Sequence, residues 1–486
     1  MTTTVRERAR EQTMVVPADL LGSADFRHRH GVRLAYVAGS MYRGISSPDM
    51  VARMGRAGLL AFLGSGGLAP ARLTRAVDET RQRLGEHGVF GVNLLATPSR
   101  PADEEAVVDL CLARDVTIVE SSAFVTPTPP VVRYRLKGLR AGRDGEVVVP
   151  RRIMAKVSRP EVARLFLGPP PEPIVRQLRD TGRITDDEAR LAHRVTLADS
   201  ITVEADSGGH TDQRPALTLL PDILRLRDEM QSQTPSGRRV SIGAAGGLGT
   251  PESVAAVFLI GADYILTGSV NQCTVEAGTS DLAKEMLQSV GTADTTMAPA
   301  GDMFQEGAKV QVIGRGTLFA PRGRKLYELY QQYASWEDLA RNDPRVAHQI
   351  EEKYFGRTFE QVWGETRAYY GARRPEEVER AERQPRRKLA LVFRRYFSLS
   401  SRWAQEGEET QRVNFQIQCG PALGAWNRCV RGTALEPWRS RHVDRIADVL
   451  MSGAADLLSA SVNRYAHRTG PPPAITPASP EVGERT

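Results

Sequence analysis

Eight short apolar runs lie between residues 32 and 269, and stretches with helical periodicity separate them. Runs of this length alternating with amphipathic helices predict parallel strands joined by right-handed crossovers. Eight such units in about 240 residues favour an α/β fold of the (β/α)8 TIM-barrel type over an open sheet, because that barrel typically takes about 250 residues. The runs are VRLAYVAG, AGLLAFLGSGG, VFGVNLL, VTIVESS, RRIMAKVS, SITVEAD, RRVSIGAAGG and ADYILTGS.

The carboxyl ends of these predicted strands carry small, polar and ionisable residues. A barrel of this type forms its active site from the loops that follow the carboxyl ends of its strands. The convergence of such residues at one rim therefore predicts a functional site there. The strand ends are AGSM, GSGG, GVN, ESS, AKVS, EADSGGH, AAGG and TGS.

Helix and turn signals outside the runs divide the rest of the chain. Asp144-Gly145 predicts the turn of a hairpin, Thr185 and Thr250 are predicted helix N-caps, and Pro221 predicts a kink or a break in its helix. Helical patterns dominate after residue 280. The predicted organisation is an N-terminal extension (1–29), a barrel (30–279) with an insertion around 135–195 that shapes an entrance, a mostly helical lid and partner-docking region (280–468) and a disordered tail (469–486).

Composition restricts the class of protein. No apolar run approaches the roughly 20 residues that a membrane-spanning helix needs, and the N-terminus has no secretory apolar core. The four cysteines are scattered, so we expect neither a disulfide framework nor a metal site, and a cytoplasmic location. The net charge is +7, with the densest basic cluster at Arg383 to Phe397. This cluster is either a solvated helix face or a docking patch for an acidic partner, and no motif for nucleic-acid binding accompanies it.

Two glycine-rich segments at the seventh and eighth strands predict a phosphate site. IGAAGGLGTPESV leads from a strand into a helix, and YILTGSVNQ ends the next strand. Loops in these positions of a barrel commonly bind phosphate through backbone N–H groups and a helix N-terminus. Gly246, Gly247, Gly268 and Ser269 are placed for that role, and the alternative is that the glycines only form tight turns.

A phosphate site beside a polar rim suggests flavin mononucleotide (FMN) over the barrel mouth. The backbone near Ser40 can approach the N5 edge of the flavin, Asn93 can offer its amide to the ring or ribityl chain, and Lys156 can place a cation near the N1–C2 edge of the reduced flavin. The alternatives are a strand-end cap for Asn93 and a salt bridge for Lys156. The candidate cofactor-binding residues are Ala38, Gly39, Ser40, Met41, Asn93, Lys156, Ser207, Gly208, Gly209, Ala245, Gly246, Gly247, Gly268 and Ser269.

The segment ITVEADSGGHTDQRP supplies a candidate proton donor. Gly208 and Gly209 allow the backbone to pass close to a ligand, and His210 follows them with a side chain that titrates near neutral pH. His210 and Lys156 are therefore the candidate catalytic residues, and the alternative for His210 is a purely substrate-binding or structural role. For Glu204 and Asp206 the alternatives are hydrogen bonds to loop N–H groups or pairing with Lys156 or Arg214.

Taken together, these segments resemble the nitronate monooxygenase-like FMN barrels, and more closely the PfaD-like trans-acting enoyl reductases of polyketide and polyunsaturated fatty-acid synthases. The resemblance extends from about residue 30 to 455. The chain departs from the family pattern at Gln418 and Leu423 and in FRRYFSL, which bears on substrate shape and partner docking. The shared segments include AYVAGSMYRGIS, VVRYRLKGL, AKVSRPEVA, ITVEADSGGHTDQRP, GAAGGLGTPESVAAVFLIGADYILTGSVNQ, APAGDMFQEGAKVQVIGRGTLFAPRGRKLYELY and CGPALGAWN.

The resemblance implies a function. It implies an FMN-dependent enoyl reductase, with NADPH or NADH as hydride donor, that reduces the double bond of enoyl thioesters on an acyl carrier protein. It also implies a lid formed by Asp302, Met303 and Gln305. Two alternatives remain open: an FMN oxidase of the nitronate-oxidising kind and a non-catalytic docking component of a synthase. No nucleic-acid or membrane partner is expected, and a homodimer stays open.

Overall fold

A computed structural model describes residues 14–85, 88–97, 100–209, 211–232 and 238–466 of the chain. The predicted disordered tail and His210 lie outside the described residues. The strands of the described part are β1 Tyr36–Ala38, β2 Leu60–Leu63, β3 Gly91–Leu95, β4 Ile118–Ser122, β5 Arg140–Ala141, β6 Val147–Val148, β7 Arg152–Val157, β8 Ser200–Glu204, β9 Ser241–Ala245, β10 Tyr264–Thr267, β11 Thr295–Pro299 and β12 Lys309–Ile313.

The α-helices of the same ranges begin and end as follows: α1 Ala24–His30, α2 Pro48–Arg56, α3 Pro70–Leu84, α4 Pro101–Ala113, α5 Pro129–Leu136, α6 Pro160–Leu167, α7 Glu172–Asp180, α8 Asp186–Leu191, α9 Ala216–Ser232, α10 Pro251–Ile260, α11 Ser269–Gln272, α12 Asp281–Gln288, α13 Phe319–Gln332, α14 Trp336–Asn342, α15 Pro344–Gln349, α16 Phe359–Gly371, α17 Pro375–Arg383, α18 Pro385–Glu406, α19 Ala422–Cys429 and α20 Val443–Ala466. Among these helices, none combines the length and the apolar character that crossing a bilayer requires.

Eight strands close into a parallel barrel in the order β1-β10-β9-β8-β7-β4-β3-β2. Each of the eight predicted runs contains one of these strands, so the barrel prediction is confirmed. Large side chains fill the interior where neighbouring strands carry glycine: a Cβ at Gly91 or Gly243 would collide with the rings of Phe62 and Tyr264. From below, the ring of Phe26 in α1 stacks on Tyr264 at 4.3 Å between centroids. Helix α1, which includes the end of the predicted N-terminal extension, thus packs against the bottom of the barrel and leaves the carboxyl rim for the site.

The local turn and cap predictions hold, with one exception. β5 and β6 pair antiparallel around Gly145, which has a φ of +75°. Thr185 and Thr250 both accept the capping hydrogen bond from the third residue of their helices. Of the two alternatives for Pro221, a kink or a break, the break is wrong, since α9 continues through this residue.

The C-terminal region contains a small sheet that the sequence pattern did not predict. β11 and β12 pair antiparallel, and the segment just before α19 adds to their edge, with the N–H of Cys419 donating to the carbonyl of Gln311 at 3.1 Å. The N–H of Ile313 in turn donates to the carbonyl of Ile417 at 3.0 Å. This third segment lies about a hundred residues after β12 in the chain, so no local periodicity in the sequence predicts that the two pair.

Candidate active site

A cavity of about 860 Å³ covers the carboxyl rim of the barrel. The strand ends form its floor, while α16–α18, the β11–β12 loop and residues 416–422 form its walls and roof. This volume lies in the upper part of the range of about 300–1,000 Å³ typical of cofactor and ligand sites. Of the predicted cofactor-binding residues, only Ala38 does not line it, because this alanine is buried within β1. The predicted residues that line it are Gly39, Ser40, Met41, Asn93, Lys156, Ser207, Gly208, Gly209, Ala245, Gly246, Gly247, Gly268 and Ser269.

The loops after β9 and β10 present unused backbone donors to this cavity. Gly246 has a φ of +87°, and a Cβ there would lie 2.7 Å from the carbonyl of Ala205, so only glycine fits. A Cβ on Gly268 would meet open space. Within the described part of the chain, the backbone N–H groups of Gly246, Gly247, Gly268 and Ser269 donate to no other atom. Such a group of free N–H donors has the chemistry of a phosphate-binding loop.

Lys156 places a cation on the floor of the cavity. Its side chain is 12% exposed, and Nζ lies 3.5 Å from Oε1 of Glu204. Burial disfavours the ammonium, but Glu204 and Glu120 outweigh burial and raise the pKa of Lys156 above its ordinary value. The salt bridge that the sequence left open is therefore present, and it keeps Lys156 charged beside the cavity.

Glu120, at the end of β4, is a site residue that the sequence interpretation missed. Its fully buried carboxylate accepts hydrogen bonds from the hydroxyl of Ser40, from the backbone N–H of Ser40 at 3.3 Å and from Nδ2 of Asn93 at 3.3 Å. Burial raises the pKa of Glu120, against the opposing influence of Lys156 and Ser40. The predicted rim included ESS, but all five residues of β4 are buried, so the run contains no alternation that shows which side chain points inward.

Asn93 belongs to the same hydrogen-bonded cluster as Glu120. Its Nδ2 donates to the hydroxyl of Ser122 at 2.8 Å and to the carbonyl of Glu120 at 3.0 Å, and its Oδ1 accepts from Ser65. This is the strand-end cap that the sequence left as an alternative. Because Asn93 also lines the cavity, its contact with a cofactor stays a prediction.

The two acids after β8 take different partners. Glu204 pairs with Lys156, as one of the predicted alternatives has it. Asp206 instead accepts from Nε2 of Gln311 in β12 at 2.8 Å, while its backbone N–H donates to the carbonyl of Arg214. The Asp206–Gln311 hydrogen bond therefore ties the unpredicted small sheet to the barrel rim.

The segment around CGPALG also lies against the rim. The N–H of Gly420 donates to the hydroxyl of Ser269 at 3.0 Å, and a Cβ on Gly208 would lie only 3.1 Å from the N of Gly420. Gln418 lines the cavity, whereas Leu423 is fully buried outside it. This segment, which the sequence associated with substrate shape and docking, thus also borders the glycine loops.

The predicted lid residues lie beside the cavity in part. Asp302 and Gln305 line it, and Met303 does not and is exposed. Nε of Arg394 in α18 donates to the carbonyl of Gly301 at 3.0 Å, which fixes this loop to the helical region.

Two family models match the chain. The model described as nitronate monooxygenase matches residues 30–313, which include the barrel and the β11–β12 pair. The model described as the inserted helical domain of [acyl-carrier-protein] S-malonyltransferase matches residues 333–415. The chain therefore belongs to the nitronate monooxygenase family of oxidoreductases and carries a helical insert of the transferase type.

Individual relatives confirm the resemblance to components of polyketide and polyunsaturated fatty-acid synthases. The polyketide biosynthesis protein PksE of Bacillus subtilis is 47% identical over 91% of this chain and 57% of PksE. A polyunsaturated fatty acid synthase polypeptide of a Thraustochytrium species is 42% identical over 88% of this chain and 29% of that polypeptide. The chain thus spans only part of the length of these relatives.

One solved structure matches almost the whole described fold. The enoyl reductase domain of MlnA, from the macrolactin biosynthesis cluster of Bacillus amyloliquefaciens, is 41% identical and superposes with a TM-score of 0.88. The match covers 92% of this chain and all of that domain.

Proposed function

We propose that the chain is a trans-acting, FMN-dependent enoyl reductase that uses NAD(P)H to reduce the α,β double bond of enoyl thioesters on an acyl carrier protein. One observation carries the proposal. A single cavity contains the free glycine N–H groups after β9 and β10 and the charged Lys156 on β7, in a chain that aligns with the entire enoyl reductase domain of MlnA.

The residues present fit FMN. The four free N–H groups of Gly246, Gly247, Gly268 and Ser269 would hold the phosphate. Lys156 lies on the same rim, with β8 between its strand and β9, and its charge would stabilise negative charge on the ring. Bound in this cavity, FMN would supply the hydride that is added to Cβ of the enoyl thioester.

His210 is the proposed source of the proton that completes the reaction. A hydride at Cβ leaves negative charge at Cα next to the thioester, and an imidazolium can neutralise it by proton transfer. The enoyl group thereby gains one hydride and one proton, while NAD(P)H is oxidised to NAD(P)⁺. His210 follows Gly209, which lines the cavity, and general acid catalysis of this kind typically contributes about 10²–10⁴-fold.

The proposed partner is the carrier protein of a polyketide or polyunsaturated fatty-acid synthase. The names of PksE and of the Thraustochytrium synthase polypeptide support that setting. The helical insert supports it too, because it matches a domain of an enzyme that acts on an acyl carrier protein. We propose the cytoplasm as the location, and a homodimer stays a prediction.

A product measurement tests the proposal. Purified protein with bound FMN is mixed with NADPH and an enoyl carrier protein without oxygen, and the carrier is weighed by mass spectrometry. We expect a gain of two hydrogen atoms. The second candidate, a nitronate-type FMN oxidase, is favoured by the family model that matches the barrel. This oxidase would leave the mass of the carrier unchanged and would oxidise NADPH only in air. A non-catalytic docking component would change neither the carrier nor NADPH.

A further inference from the structure

The helical insert contributes a group of cationic and aromatic side chains to the cavity. Tyr369, Tyr370, Arg373 and Arg374, which we call the entrance cluster, lie at the end of α16 and in the turn before α17, and all four line the cavity. Tyr369 and Arg373 are exposed, and Tyr370 and Arg374 are half-buried. The cluster therefore stands where the cavity meets solvent.

The two arginines are held in place without a carboxylate. The guanidinium of Arg373 lies 4.2 Å from the ring of Tyr369, and that of Arg374 lies 4.8 Å from the ring of Tyr370. In the described part of the chain neither arginine forms an ion pair with a carboxylate. Nη1 of Arg373 also donates to the carbonyl of Tyr369 at 3.2 Å. The other N–H groups of a guanidinium that rests on an aromatic face stay free for a planar or tetrahedral oxyanion.

Neighbouring arginines of the insert do form ion pairs with carboxylates. Arg387 makes a 2.7 Å ion pair with Glu377, and Arg395 lies 3.6 Å from Glu365. Both arginines also line the cavity. Arg373 and Arg374, by contrast, form no ion pair with a carboxylate of the described residues, so their charges are available to attract an anion at the entrance.

The proposed substrate brings such an anion. A carrier protein presents its acyl group on a phosphopantetheine arm, which has the thioester at one end and a phosphodiester at the other. If the thioester reaches the barrel rim, the phosphodiester is left toward solvent, on the side of the entrance cluster. We propose that Arg373 and Arg374, stacked on Tyr369 and Tyr370, bind this phosphodiester, an assignment that rests on the proposed function.

A phosphate could also arrive on the nicotinamide dinucleotide, so the test separates the two sources. The variant Arg373→Gln/Arg374→Gln removes both charges. The matched control is Arg341→Gln/Arg345→Gln, which removes two exposed arginines of the same insert that do not line the cavity. Each protein, with its FMN content determined, is titrated in a calorimeter with pantetheine, with 4′-phosphopantetheine and with NADPH. KM is then measured for the enoyl thioesters of pantetheine and of phosphopantetheine.

We expect the wild type and the control to bind phosphopantetheine more tightly than pantetheine. The cluster variant should lose this preference, with KM for the phosphorylated substrate raised on the order of 10-fold and KM for enoyl-pantetheine unchanged. An equal rise in KM for both substrates, or weaker binding of NADPH alone, would overturn the assignment. If no thioester is reduced by any protein, the proposed function fails, and the calorimetric preference for phosphate still decides the role of the cluster.

Discussion

Nζ of Lys156 lies 3.5 Å from Oε1 of Glu204, across the neighbouring strands β7 and β8. Glu120 lies in β4, on the other side of β7. Both carboxylates raise the pKa of Lys156, while burial raises the pKa of Glu120. The barrel floor thus holds one lysine whose charged form is favoured by two acids, and the lysine in turn opposes the rise in the pKa of Glu120.

Lys156→Met should destabilise the protein, because it leaves the buried Glu120 and the partly buried Glu204 without their cation. Breaking one partner of a buried pair typically costs about 3–5 kcal/mol, and we expect the lower end since the side chains of Lys156 and Glu204 retain some exposure. The free energy of unfolding, measured by urea titration, provides the test. The double variant Lys156→Met/Glu204→Gln should recover part of the loss, and a single variant as stable as the wild type would show that the pair is not coupled.

Gly268→Ala should weaken FMN binding without harming the fold. Its φ is negative and a Cβ would meet open space in the protein, so the methyl group intrudes only on a bound phosphate. We expect the Kd for FMN, measured by fluorescence quenching, to rise about tenfold, equivalent to about 1.4 kcal/mol, at an unchanged melting temperature. Gly364→Ala in α16, where a Cβ also meets open space, is the control. Unaltered FMN affinity in Gly268→Ala would place the phosphate elsewhere.

The barrel and its rim could be predicted because their signals are local. Each strand and helix shows its own periodicity, and a parallel barrel brings every strand end to one rim whatever the details of packing. Glu120 could not be singled out, because β4 is buried on both faces and shows no alternation. The contacts of Gln311 with Asp206 and of Gly420 with Ser269 join segments more than a hundred residues apart. The entrance cluster could not be singled out either, because its sequence AYYGARRPEE indicates only an exposed helix end.

His30 should make stability depend on pH. It is buried beneath the barrel, where burial and then Arg152 lower its pKa from 6.5 to about 3. Below pH 6.5 His30 therefore binds a proton in the unfolded chain but not in the folded chain, and stability is lost as the pH falls. The loss from this group should reach about 2 kcal/mol at pH 5.

The variant His30→Gln isolates this effect, because it keeps a polar side chain near Nη1 of Arg152, which lies 3.5 Å from Nδ1 of His30. We expect the difference in unfolding free energy between variant and wild type to shift by about 2 kcal/mol in favour of the variant between pH 7 and pH 5. A difference that stays constant with pH would mean that His30 accepts a proton in the folded protein.

His210→Ala should retain FMN and lose turnover. The proposed role of His210 is proton delivery to Cα, so its removal should lower kcat by about 10²–10⁴-fold while the flavin absorbance of the purified protein stays that of the wild type. His193, an exposed histidine outside the cavity, is the control, and His193→Ala should keep full activity. Stopped-flow measurement distinguishes the steps: flavin reduction by NADPH should be unchanged in His210→Ala, and reoxidation by the enoyl thioester should slow. If reoxidation keeps its wild-type rate, the proton comes from another donor.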